Sequence, residues 1–366
     1  MEAEGRTSRM RYRVLLAACG VVALAALVHP GGARAEPTLL VRSGLPIYDM
    51  SASAKRLAWV MGDYATGPCA VRSRPLARRV VRTLVPCRGS GLHTVAVAGR
   101  RTFLASFVDV LSGEDSYSVT YAFVVEADGR TRSFGSRYGE LVGAVAAGSR
   151  SAIVYGITEN VRKDWACEGA APTGPCHFSP EGSVFRVGRK REKLPAPPAA
   201  LVDVAGSRLA LVPAAEVVSY DAPLDPVPSE VVEIRTLPSG ALARRIETGD
   251  ELRAMALDES SVAALLVAED GSKRIDRWDA ASGELLGTYP VPRATAALLD
   301  LDAGRIVYRV RTEIRLLDAS GGERAVWTGR QVPLALSFAG RRLVWAINRV
   351  DERGRIFSLR LPRDEG

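Results

Sequence analysis

Phe338-Ala339-Gly340-Arg341-Arg342-Leu343-Val344-Trp345 is the stretch on which the fold turns, because weaker copies of it recur along the chain. Alone it reads as a β-hairpin: an alternating apolar run from Pro333 to Phe338, a turn at Gly340 carrying basic residues, and a second apolar run from Leu343 to Ile347. Its relatives are centred on Ala54, Gly99, Gly148, Gly206, Ser260 and Gly304. With Gly340 these seven positions are spaced by 36 to 58 residues, around the length of four short strands and their turns. Seven copies predict seven four-stranded units.

The expected fold is all-β, a seven-bladed β-propeller, with blades near 44–89, 90–137, 138–195, 196–249, 250–292, 293–329 and 330–362. In the second unit four strands are predicted at His93–Ala98, Thr102–Val110, Tyr117–Glu126 and Thr131–Phe134. The last unit holds three strands after Gln331, and an open outer edge would expose backbone donors and acceptors. Thr38–Arg42 is β-prone and precedes the first blade, so it is predicted to pair with Arg355–Leu361 and close the ring from the N-terminal side.

Ahead of this domain, Arg6, Arg9, Arg11 and Arg13 precede the apolar run Val14–Val28 and the small-residue site Ala33-Arg34-Ala35. That order predicts a signal peptide over 1–35, leaving 36–366 as a single domain that is secreted or held in the periplasm or cell envelope. The apolar run is shorter than the roughly 20 residues that span a bilayer, and no transmembrane segment is expected in the mature chain. Leu16-Ala17-Ala18-Cys19 is the alternative processing site, which would make Cys19 a lipid-bearing N-terminus. The four remaining cysteines form two close pairs, Cys69–Cys87 and Cys167–Cys176, read as disulfides in an exported chain. No CxxC spacing argues for a metal. The net charge of +8 is spread along the sequence and does not argue for nucleic acid.

Lys273 to Tyr289, with the Trp-Asp dipeptide at Trp278-Asp279, resembles the third strand, turn and outer strand of a WD40-type blade. Weaker echoes run from Val232 to Gly240 and from Ile314 to Gly322. The Gly-His dipeptide usual in that family is absent and Trp-Asp occurs once, so the resemblance is to the wider group of bacterial WD40-like, TolB-like and quinoprotein-like propellers. It implies a repeat-built binding scaffold.

Catalytic signatures are sparse. The mature chain keeps two histidines, His93 and His177, and no Gly-x-Ser-x-Gly elbow accompanies them. Acids for a channel-bound calcium would have to share one inner-strand phase, yet Asp203 and Asp300 lie at different offsets from their turn glycines, Gly206 and Gly304. Asp128, Asp270 and Asp318 read as turn formers. No catalytic residue, metal site or cofactor is therefore expected.

Two surface features are candidates for binding. Insertions between second and third strands, at Asn160–Gly182 in the third blade and Asp221–Pro228 in the fourth, carry Arg162, Lys163, Trp165, His177, Phe178, Asp221 and Asp225. Aromatic and cationic anchors on loops held by a rigid scaffold suit recognition, and both insertions should emerge on one face. The opposing hairpin turns carry Lys55, Arg56, Arg100, Arg101, Arg150, Arg208, Arg305, Arg341 and Arg342, a basic face that would attract an anionic surface. The expected function is a non-enzymatic scaffold at the bacterial cell envelope with a protein or envelope-glycan partner. The alternatives are a quinoprotein-like or lyase-like enzyme of the central channel and a TolB-like envelope assembly component.

Overall fold

The computed structural model describes residues 36–362 apart from 64–66, 87–91, 113–114, 127, 139, 148–150, 159–175, 189, 220–224, 293–295 and 352. Every regular element among them is a β-strand, and among them no helix is long and apolar enough to cross a membrane. Strand β1 (Thr38–Arg42) comes first. Blade one is β2 (Ile47–Ala52), β3 (Arg56–Asp63), β4 (Gly67–Pro75) and β5 (Arg82–Val85); blade two is β6 (Leu92–Ala98), β7 (Arg101–Ser112), β8 (Asp115–Val125) and β9 (Thr131–Tyr138). Blade three begins with β10 (Glu140–Ala147) and β11 (Ser151–Thr158), sends out β12 (Cys176–Phe178), and ends with β13 (Gly182–Val187) and β14 (Arg191–Lys193). Blade four has β15 (Ala199–Ala205), β16 (Arg208–Ser219), the extra β17 (Asp225–Pro228), β18 (Val231–Thr236) and β19 (Ala241–Glu247). Blade five is β20 (Glu251–Leu257), β21 (Ser261–Val267), β22 (Lys273–Asp279) and β23 (Leu285–Val291). Blade six is β24 (Ala296–Asp302), β25 (Arg305–Val310), β26 (Glu313–Leu317) and β27 (Glu323–Thr328), and blade seven is β28 (Pro333–Ala339), β29 (Arg342–Asn348) and β30 (Gly354–Arg360). The seven sheets form the ring of a β-propeller.

The second strands explain why the repeat reads as it does. Leu57–Met61, Val262–Leu266 and Leu343–Ile347 are buried without interruption, because a neighbouring blade covers each face of the sheet. Alternate side chains then enter different seams. Ala58 and Val60 pack with Val95 and Val97 of blade two, whereas Leu57, Trp59 and Met61 pack with Val344 and Ala346 of blade seven. Each of the seven seams holds its own apolar cluster of this kind, so the hydrophobic driving force is distributed round the ring.

In blades two, four, six and seven the first hairpin turns on a two-residue loop. Gly340 (φ 64°), Gly99 (φ 61°) and Gly206 (φ 56°) occupy the first loop position, where the primed turns that match strand twist require a positive φ. Blade six differs: Ala303 (φ 52°) and Gly304 (φ 72°) are both left-handed, so its glycine stands one place later in the loop.

Strand β1 pairs antiparallel with β30, from Thr38 opposite Ser358 to Arg42 opposite Arg355, and completes blade seven. Asn348 fastens the seam: its Oδ1 accepts the Ile47 N–H at 2.8 Å and its Nδ2 donates to the Ile47 carbonyl at 3.0 Å. The ring is thereby closed by the N-terminal strand, as the unsatisfied edge predicts.

Some strand limits differ from expectation. The β7–β8 hairpin runs past Val110 to Ser112 and resumes at Asp115. Strand β5 starts only at Arg82, because the Arg78 N–H turns back to the Pro75 carbonyl (3.2 Å) and Val80 and Val81 are left exposed. Cys69 lies inside β4, since the ladder continues to Gly67 opposite Asp63. It is buried and disulfide-bonded. Cys87 and Cys167 lie outside the described residues, and Cys176 opens β12.

Candidate functional site

The two insertions meet through β16. Its first half, Arg208–Leu211, pairs with β15 and β18 inside blade four. Its second half runs on beyond the blade and becomes the middle of a small three-stranded sheet. On one side Cys176, His177 and Phe178 of β12 oppose Ser219, Val218 and Val217. On the other, Asp225, Pro226 and Val227 of β17 oppose Val218, Val217 and Glu216. His177 and Asp225, which come from different insertions and different blades, thus face the same residue, Val218, and share one register row. Pro226 and Pro228 give β17 a poor outer edge for further pairing. Beneath this platform Val217 is fully buried against Ala200 and Ala214. Arg162, Lys163, Trp165 and Asp221 lie outside the described residues.

The basic turns are a different matter. Arg56, Arg101, Arg208, Arg305 and Arg342 all occupy the first position of a second strand, and four of them are committed to partners. Arg56 is buried and donates to Ser73 Oγ at 2.9 Å. Arg101 pairs with Glu126 at 2.5 Å. Arg208 donates across the seam to the Glu259 carbonyl, and buried Arg305 reaches the Gly340 carbonyl at 2.8 Å while covering the Phe338 ring. Arg342 and Arg341 are half-buried, Lys55 and Arg100 stay exposed, and Arg150 lies outside the described residues. The register that repeats these arginines aims Arg208 and Arg305 at the next blade, so these two serve as blade-to-blade clasps.

The same mouth of the disc is acidic. A cavity of about 820 Å³ opens among the inner strands, lined by Asp49, Asp203, Asp258, Glu259, Asp300 and Asp302, with no Lys or Arg among its described lining residues. Counted from the closing pair of each hairpin, Ala205 with Arg208 and Asp302 with Arg305, Asp203 and Asp300 are register equivalents, each two places before the turn. The differing offsets read from the glycines arise because Gly304 sits second in its loop. Each of the two aspartates accepts its own following amide, Val204 at 2.7 Å or Leu301 at 2.8 Å, and an amide of the next blade, Leu257 or Phe338, both at 2.6 Å. Asp49 does the same one pleat earlier, with Met50 at 2.7 Å and Val95 at 3.0 Å. Asp258 takes the Gly304 amide at 2.6 Å, and Ser53 Oγ donates to the Gly99 carbonyl at 3.0 Å. These side chains staple neighbouring blades through hydrogen bonds to backbone groups across the seams.

Electrostatics follows from the burial. Loss of water raises the Asp49 carboxyl and pushes Asp203 up to about 6. Burial, reinforced by the charge of Asp203, pushes Asp300 up to about 8. Burial and the charges of Asp49 and Asp203 hold the Tyr155 phenol up at about 12. Among the described residues no group of three His, Cys, Asp or Glu is placed to hold a metal ion. The turn acids behave as read from sequence: Asp128, Asp270 and Asp318 each accept the amide two residues on, at 2.8 to 2.9 Å. Asp279 of the Trp-Asp dipeptide caps its turn through Ser282 and Ala281, which lowers its pKa.

No protein-family model matches the chain, and no curated protein does. Solved structures do. One is the β-propeller domain of the Trilobed protease from Pyrococcus furiosus, described as having an open velcro topology, with a TM-score of 0.59 at 9% identity over 88% of this chain and 96% of that one. Another is a chain of a mitotic checkpoint complex, with a TM-score of 0.56 at 13% identity over 97% of this chain and 99% of that one. At such identities the likeness is one of fold, and it extends over most of the chain. In this protein the last blade is closed by β1.

Proposed function

We propose that the protein is an exported, non-enzymatic binding scaffold of the bacterial envelope whose recognition surface is the platform built from the third- and fourth-blade insertions. The observation that carries this reading is the joining of β12 and β17 through β16. A chain that needed only to close a ring has no use for a strand that leaves blade three to pair with blade four. Such a strand does serve to fix two loops with respect to each other, which lowers the ordering cost of recognition. The loops so fixed carry Trp165, Arg162 and Lys163, residue types that anchor interfaces. A protein or an envelope glycan is the partner class that suits an aromatic with flanking cations. The acid-lined channel supports this reading from the other side, since Asp49, Asp203 and Asp300 are already engaged as staples.

Trp165→Ala tests it. With unchanged thermal unfolding, the variant should lose at least tenfold in affinity for the partner recovered by cross-linking from the organism's own envelope, the cost of about 1.4 kcal/mol expected of a modest anchor. Undiminished capture by a folded variant lacking residues 160–175 would refute the assignment of the surface.

A further inference from the structure

We infer that the ring-closing seam holds a binding site for a phosphoryl oxyanion, formed by Arg42, Arg349, Arg353 and Arg355. These arginines, with Ser43 and the backbone of Gly44 and Gly354, line a pocket of about 370 Å³. It lies where β1 ends and where the β29–β30 turn comes round, apart from the insertion platform, and it goes beyond the proposed function.

Three observations carry the inference. First, Arg42 and Arg355 are directly opposed across the β1–β30 ladder. Like charges in that relation destabilise a sheet, and a broken local rule without a local gain marks a functional position. Second, most of this charge has no acidic partner among the described residues. Arg349 contacts Asp351 at 3.6 Å, whereas Arg42, Arg353 and Arg355 have no acidic partner among the described residues. In this they differ from the turn arginines Arg208 and Arg305, each of which has a carbonyl to hold. Third, the floor is rigid. Ser43 N–H donates to the Gly354 carbonyl at 2.8 Å, Gly354 N–H donates to the Leu45 carbonyl at 3.1 Å, and Ser43 Oγ accepts the Leu45 amide at 3.2 Å. A Cβ at Gly354 would stand 2.6 Å from the Ile47 side chain, so the two strands approach as closely as glycine allows.

The chemistry selects the ligand. One guanidinium satisfies a carboxylate in a bidentate pair, so four arginines lining one pocket, with Arg349 alone beside an acid among the described residues, call for a multiply charged group with several acceptor oxygens. A phosphate or pyrophosphate group has that charge and oxygen count, and the pocket has room for it with a small substituent. The group could be carried by a soluble phosphate compound or by the headgroup of an anionic lipid. In either case it would bridge residues from both ends of the domain and secure the closure of the ring, so stability is the natural readout.

The test is thermal unfolding of the purified protein with inorganic pyrophosphate against sodium chloride at equal ionic strength, alongside sedimentation with phosphatidylglycerol and phosphatidylcholine vesicles. Pyrophosphate is expected to raise Tm by several degrees, and Arg42→Gln with Arg355→Gln to abolish the rise without lowering Tm in its absence, since the double change removes a repulsion. Arg100→Gln, at an exposed turn on the opposite side, should leave the rise intact. Binding to phosphatidylglycerol vesicles that the double variant loses would assign the group to a lipid, and a shift with pyrophosphate alone would assign it to a soluble compound. The inference is overturned if chloride gives the same shift, if the shift survives the double variant, or if Arg100→Gln removes it equally.

Discussion

Asp300→Asn offers the sharpest test of the channel acids. In the folded state the Asp300 carboxyl is raised to about 8 by burial and by the neighbouring Asp203, whereas in the unfolded chain it titrates near the usual value of about 4. Between those two pH values the folded protein holds a proton that the unfolded protein has released. Stability therefore falls as pH rises, and it levels off above the folded pKa. Each unit of separation is worth about 1.4 kcal/mol, so about four units set a ceiling of about 5 kcal/mol. Water entering the open cavity acts as a higher effective dielectric, and a loss of about 2 kcal/mol between pH 5 and pH 9 is the expected result.

Asparagine is close in size and does not titrate. At pH 5 it stands in for the neutral carboxyl with one accepting oxygen where the acid has two, so it keeps the amide of Leu301 or that of Phe338 and sets its NH2 against the other, and the variant should be less stable than the parent by about 1–3 kcal/mol. At pH 9 it avoids a buried charge, so its deficit against the parent should shrink by about 2 kcal/mol. Denaturant titrations at pH 5, 7 and 9, extrapolated to water, measure both. Asp203→Asn should move the levelling-off to lower pH, because it removes a negative charge that raises Asp300. Parallel stability profiles for the parent and Asp300→Asn would refute the argument, and so would a variant that is less stable at pH 9 than at pH 5.

Further changes probe the ring. Gly354→Ala forces a Cβ to within 3.0 Å of the Leu45 carbonyl and closer still to Ile47; it should cost about 1–3 kcal/mol, with faster amide exchange in 38–42 than elsewhere. Arg305→Ala removes a buried side chain bonded to the Gly340 carbonyl and should cost about 1–3 kcal/mol in denaturant unfolding, while leaving retention on a heparin column unchanged if the residue is a clasp and not part of a basic face.

What could be read from the sequence and what could not divide along the line between local and distant pairing. The hairpins were legible because a turn glycine and an apolar second strand lie within ten residues of each other, and because burial on both faces makes runs such as Leu343–Ile347 continuously apolar. Even the closing strand could be foreseen, from the edge it had to cover. The channel acids were not legible from glycine offsets, since Gly304 occupies the second loop position where Gly206 occupies the first; counting from the pair that closes the turn would have aligned Asp203 with Asp300. The register row that joins His177 to Asp225 depends on β12 crossing to another blade, and the pairing of Arg42 with Arg355 spans almost the whole domain. Arginine is also ambiguous by type. Arg208 and Arg305 are held by carbonyls of the next blade, whereas Arg42, Arg353 and Arg355 line one pocket, and in the sequence all five look like surface charge beside a turn or strand end. Only the partner tells them apart. A clasp such as Arg208 or Arg305 stands at a repeated register position, while a site can stand wherever the ring departs from its own repeat. The seam and the insertion platform are two such departures, and they are where binding should be sought.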